Sequence, residues 1–143
     1  MQIDSKKQKL DTGQIIGIFL ENNKQPHPPS VMMPAILDEL SQPNTEVKQF
    51  GNTLFELHKG KDGQGFFKAF NADTGPNFVE NSKLFSVWAK RVVGIKVLVT
   101  EFSDPSLERL FKIIAMNPPM PGMGYQVFRA KDGKTRIGLN LGE

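Results

Sequence analysis

Residues 94–116 constrain this chain more than any other stretch. An apolar run, Ile95-Lys96-Val97-Leu98-Val99-Thr100-Glu101-Phe102, stops at Ser103 and gives way to Asp104-Pro105. β-Branched side chains dominate the run and suit a buried strand. Asp104 can accept N–H bonds from a first helical turn, and Pro105 loses nothing at the first helical position. Leu107, Leu110, Phe111 and Ile114 recur at i, i+3, i+4 and i+7, which predicts a helix with one apolar face laid on a sheet. Such strand-to-helix corners are where α/β proteins often place a ligand, although a corner alone names none.

The length of 143 residues predicts a single domain over 1–143 with one sufficient core. No apolar segment approaches the roughly 20 residues of a spanning helix, and Lys6, Lys7 and Lys9 stand near the start without the apolar core of a signal peptide. No membrane partner is expected, and a cytoplasmic location is the default. Cysteine is absent, which excludes disulfides, thiolate nucleophiles and zinc-thiolate sites together. The net charge of +3 is spread along the chain, and only Arg129, Lys131, Lys134 and Arg136 form a dense basic group. That group reads either as a solvated face or as a contact for an anionic partner such as nucleic acid.

Along the chain, Asp11-Thr12 caps a helix whose apolar face is Ile15, Ile16, Phe19 and Leu20. Pro26-His27-Pro28-Pro29-Ser30 predicts a rigid loop before a short second helix near 32–40, because each proline removes a donor and restricts its predecessor. Strands over 46–50 and 53–59 flank Gly51-Asn52 as a tight hairpin turn, and residues 60–65 turn again into an aromatic strand over 66–71. Asn77-x-x-Glu80 has capping-box spacing, with Phe78, Leu84, Phe85, Trp88 and Val92 as a helical stripe and Gly94 as its end. After the corner come a constrained Met-Pro-Gly loop over 117–124 and two strands, 125–130 and 135–141, joined through Asp132-Gly133.

Individual residues offer little isolated chemistry. His27 and His58 are the only histidines, and they read as surface residues without an acidic or histidine neighbour at ligand spacing. The serines lack a nucleophile-elbow context. The glycines of 60–65 lack the Gly-Lys-Ser/Thr that leads a phosphate loop into a helix. Phe66, Phe67, Lys68 and Phe70 read as a core strand or as an aromatic-basic surface for single-stranded nucleic acid. In the loop, Met120 and Met123 read either as exposed thioethers that adapt to a protein partner or as plugs folded against the sheet edge.

The element order of two helices, a three-strand meander, helix, strand, helix and hairpin resembles the GNAT superfamily of acetyl-CoA-dependent N-acetyltransferases. The family often follows its fifth strand with Asn or Asp, then small or apolar residues, then Leu-Tyr on the fourth helix. Asp104, Leu107 and Leu110-Phe111 fall at that spacing. The resemblance is nearest to divergent GNAT-like proteins of bacterial viruses, including an internal virion protein of short-tailed coliphages. It implies an α/β fold with a central, mostly antiparallel mixed sheet flanked by helices. It also implies a cofactor contact at the start of the third helix, which here would fall on Phe70, Ala72, Thr74, Gly75 and Asn77.

Two departures weigh against acetyl transfer. The family loop there is Arg/Gln-x-x-Gly-x-Gly/Ala, whose glycines let backbone N–H groups approach the pyrophosphate. This chain has Asn71-Ala72-Asp73-Thr74-Gly75-Pro76-Asn77, with a single glycine, a proline without a donor, and a carboxylate expected where the diphosphate would sit. The usual tyrosine is Phe111, which has no proton to give. The expected protein is therefore a non-catalytic GNAT-fold binding or virion-assembly protein, located in host cytoplasm or virion, without a cofactor and with a protein partner or self-association. The alternative is a small acetyl-CoA-dependent N-acetyltransferase in which Glu101, at the end of the fifth strand, is the base.

Overall fold

The computed structural model describes residues 9–99, 105–129, 133 and 135–142. Helices α1 (Thr12–Asn22) and α2 (Pro29–Leu40) precede strands β1 (Thr45–Phe50), β2 (Thr53–Lys59) and β3 (Gln64–Asn71). Helix α3 (Gly75–Trp88), strand β4 (Val97–Val99), helix α4 (Pro105–Met116) and strands β5 (Gly124–Arg129) and β6 (Thr135–Asn140) complete the chain. The six strands form one sheet in the order β1-β2-β3-β4-β6-β5. All neighbours are antiparallel except β3 and β4, which run parallel from Gln64 opposite Val97 to Phe66 opposite Val99. Beyond Phe66, β3 pairs only with β2 among the described residues. No helix among the described residues is long and apolar enough to cross a membrane.

The period of two along each strand sorts side chains between two cores. Phe55 and Leu57 of β2, Phe67 of β3, Leu98, Ile137 and Leu139 share one face with Phe85 of α3 and Leu110, Phe111 and Ile114 of α4. Leu54 and Phe70 lie on the other face, under Ile15, Ile16 and Leu20 of α1 and Ile36 of α2. Phe85 anchors the larger core, stacked on Phe55 with ring centroids 4.2 Å apart and planes 5° from parallel.

Local chemistry accounts for most element ends. Asp11 Oδ1 accepts from Gln14 N at 2.8 Å while Gln14 Oε1 accepts from Asp11 N at 2.9 Å, a complete capping box on α1. The Gly51-Asn52 turn and β2 fall where the sequence places them, with Gly51 at φ 56°. Helix α2 begins earlier than expected, at Pro29, because a proline fits the first helical position. It also contains Pro34, which removes one backbone donor from its middle.

Helix α3 departs further from expectation. It starts at Gly75 with Thr74 as a cap that makes no side-chain bond, so Asn77 and Glu80 lie within the helix and form no capping box. Leu84 and Val92 are exposed at 53% and 71%, outside the expected apolar stripe. The buried face is instead Asn81, Ser82, Phe85, Ser86 and Ala89. A π-helical turn over Ala89–Val93 and left-handed Gly94, at φ 90°, end the helix. Met120 and Met123, 4% and 7% exposed, belong to the larger core, which corrects the reading of them as exposed partner contacts. Apolar thioethers gain more from filling the space beside Leu141 than from meeting water.

Candidate functional site

Two regions carry polar chemistry, one at each face of the sheet. The first is the turn from β3 into α3. Asn71 Oδ1 accepts from Asp73 N at 3.0 Å and from the Thr53 hydroxyl at 2.7 Å, while Asn71 Nδ2 donates to the Asp73 carbonyl at 3.0 Å. Asp73 Oδ2 accepts from Asn52 N at 2.8 Å and from Asn81 Nδ2 at 2.7 Å, and Asn81 Nδ2 also donates to Thr53 Oγ1 at 3.0 Å. The Ala72 amide donates to the Asn52 carbonyl at 2.9 Å. Asp73 is thus a rivet that ties the β1–β2 turn to α3, and its charge is committed to these donors. At the helix start, the Phe78 amide already bonds the Thr74 carbonyl, and Pro76 offers no hydrogen.

The candidate cofactor residues divide in this region. Thr74, Gly75 and Asn77 are exposed around the start of α3, and Ala72 is half-buried. Phe70 lies on the opposite sheet face, packed edge-on against Phe19 with centroids 5.1 Å apart. Phe111, 1% exposed, fills the larger core. The chain's one tyrosine, Tyr125, donates to Glu108 Oε2 at 2.5 Å. That bond to a carboxylate pushes its pKa up to about 12, so the phenol stays protonated.

The second region is a cavity of about 370 Å³ on the α1–α2 face, lined by Glu39, Glu56, His58, Phe66, Phe67, Lys68 and Arg136. Its pattern follows from the register, since Leu54, Glu56 and His58 alternate along β2 opposite Phe70, Lys68 and Phe66 of β3. The face grades from apolar under α1 to charged beyond it. Glu56 is fully buried, and its Oε2 lies 2.5 Å from His58 Nε2. Glu56 Oε1 has no donor. Glu39, on the last turn of α2, accepts from Lys68 Nζ at 3.1 and 3.3 Å. The Arg136 guanidinium stands over the Phe66 ring, 5.9 Å from its centroid.

Burial pushes the Glu56 pKa up, and a proton shared with Glu39 adds to the shift. The same shared proton holds the Glu39 pKa down, assisted by Lys68.

No motif in the sequence marks this cluster. The expectation that His58 lacks an acidic neighbour is wrong, because Glu56 at i−2 shares its side of the strand. Glu39, Lys68 and Arg136 join only through packing and sheet register. Arg136 lines this cavity together with Phe66 instead of standing in an open basic patch. Arg129 ends β5, but its side chain, like Glu101, Lys131 and Lys134, lies outside the described residues. No group of three or more metal-ligating side chains could hold an ion among the described residues.

No protein-family model matches the sequence, and no curated protein does. A point mutant of the spermidine N-acetyltransferase SpeG from Vibrio cholerae is similar over 92% of this chain and 91% of its own, at 10% identity and a TM-score of 0.53. The fold is that of the GNAT N-acetyltransferases. Two chimeras of Vibrio cholerae SpeG with hSSAT match over 92% of this chain and 92% and 91% of theirs, at 11% and 12% identity and TM-scores of 0.50 and 0.51.

A GNAT fold implies acetyl-CoA, and the start of α3 fits it poorly. Of the N-terminal positions that have no helical acceptor, Gly75, Pro76 and Asn77, the amide is missing at Pro76. The Asp73 carboxylate, fixed within the same turn, repels an arriving diphosphate. Open space around the Gly75 Cα is the one feature that would admit a phosphate oxygen.

Proposed function

We propose that this chain is a GNAT-fold binding protein that does not carry out ordinary acetyl transfer. The observation that carries the reading is the Asp73 rivet. A turn that should wrap an anion is fastened by an anion of its own, with Pro76 in place of the next donor. The burial of Phe111 and the commitment of Tyr125 to Glu108 support it by leaving no phenol in the family's acid position. The partner is a protein, and the setting in a phage virion or its host rests on the sequence resemblance alone. Nucleic-acid binding through the C-terminal hairpin has less support, since Arg136 is drawn onto Phe66.

A second reading is a small N-acetyltransferase with a divergent cofactor loop, favoured by the contact between Glu56 and His58 beside a cavity able to hold an amine. The structural neighbours act on spermidine, so a polyamine is the natural trial acceptor. A thiol-release assay with acetyl-CoA and spermidine separates the two. The binding-protein reading expects no release above the enzyme-free rate, and turnover that depends on both compounds would overturn it.

A further inference from the structure

We propose that the α1–α2-face cavity is a binding site for a small zwitterion, an apolar α-amino acid whose ammonium meets Glu56 and whose carboxylate faces Lys68 and Arg136. The inference concerns this cavity alone and stands whether or not acetyl-CoA binds.

The deciding atom is Glu56 Oε1. Glu56 is 0% exposed, and while its Oε2 lies 2.5 Å from His58 Nε2, Oε1 has no donor. A buried carboxylate oxygen in that state carries a desolvation cost that no other contact offsets, so it marks a place where an ion, a water or a ligand completes the bonding. An ionised carboxylate only accepts. What completes it is a donor, and a cationic donor compensates the buried charge best. Glu56 lies on the wall of a cavity of about 370 Å³, a volume within the range of small-molecule sites.

The remaining walls restrict which cation fits. Lys68 stands directly opposite Glu56 on β3, and Arg136 of β6 lines the same space with its guanidinium over the Phe66 ring. These two positive groups disfavour a diamine or polyamine and favour a ligand that carries a negative group close to its ammonium. With His58 neutral, Glu39 and Glu56 balance Lys68 and Arg136, and a ligand without net charge keeps that balance. Phe66, half-buried on the same sheet face, gives a hydrocarbon side chain a wall to pack on. The Glu39 and Lys68 side chains are 39% and 55% exposed, and a pair so exposed holds its geometry weakly, which leaves a way in.

The test is a heteronuclear NMR titration of the full chain with L-leucine. Amides of β2 and β3 around Glu56, His58 and Lys68 should shift saturably, while those of the β3–α3 turn hold still. Isopentylamine lacks the carboxylate of leucine and isocaproate lacks its ammonium. Each should bind about tenfold more weakly than leucine, the loss expected for one charge-assisted hydrogen bond. Glu56→Gln keeps the shape and removes the charge, so it should weaken leucine by a similar factor and isocaproate not at all. If that variant folds poorly, the two analogues decide the matter on the wild-type chain. Leucine that gives no saturable shift into the tens of millimolar, isopentylamine or spermidine that binds as well as leucine, or shifts confined to other faces of the molecule would each overturn the proposal.

Discussion

Glu56 and His58, two residues apart on β2, meet at 2.5 Å, with the carboxylate fully buried and the imidazole side chain 42% exposed. The pair sits at the boundary between the apolar patch under α1 and the charged cavity beyond it. Burial pushes the pKa of the carboxyl up, and its bond to His58 opposes that shift.

Glu56 binds its proton more tightly in the folded chain than at its ordinary value of 4.5. Its stabilising contribution is complete below the unfolded pKa and is lost as pH rises through the folded one. Glu39 acts in the opposite sense, contributing above 4.5 and losing that contribution as pH falls through its lowered value. Glu56→Gln therefore gains stability relative to wild type as pH rises. Urea midpoints taken between about pH 4 and pH 8 check this, and a gap that stays constant would contradict it.

Asn81 is buried and joins Thr53 to Asp73. Asn81→Ala leaves both partners short of a donor and should cost about 1–3 kcal/mol in chemical denaturation. The cost should shrink when Asp73→Asn is already present, since the two share one bond. Additive losses would show that the rivet is not a unit.

Phe85 contacts Phe55, Phe67 and Trp88 at centroid separations of 4.2, 5.5 and 6.0 Å. Phe85→Ala opens the centre of the larger core and should cost about 3–5 kcal/mol. Calorimetry would show a cooperative transition at a markedly lower Tm.

Tyr125 is the chain's one tyrosine, so an ultraviolet titration of phenolate reports it alone. Its pKa of about 12 depends first on the hydrogen bond to Glu108. Glu108→Gln should bring ionisation back toward 10.0. An unchanged curve would mean that the bond does not form in solution.

The sequence made legible those features whose causes are local. The Asp11 cap, the Gly51-Asn52 turn and the apolar face of α4 are set by residues within one turn of each other. Helix α2 began earlier than expected because Pro29 serves as a helix start, a use that its neighbours Pro26 and Pro28 disguise. The face of α3 departs from the apolar pattern because Leu84 and Val92 are exposed, while Asn81 turns inward to partners 8 and 28 residues away. The contact between Glu56 and His58 was open to inspection at strand period. The addition of Glu39 needed the last turn of α2 to come within reach of the Lys68 side chain of β3, which no local pattern encodes.

The central claim is that the GNAT fold persists here without a working cofactor cradle, and a calorimetric titration of the full chain with acetyl-CoA tests it most directly. The Asp73 rivet and Pro76 predict no binding heat at high ligand concentration. Saturable binding that strengthens in Asp73→Asn would place the cofactor on this turn after all and contradict the account.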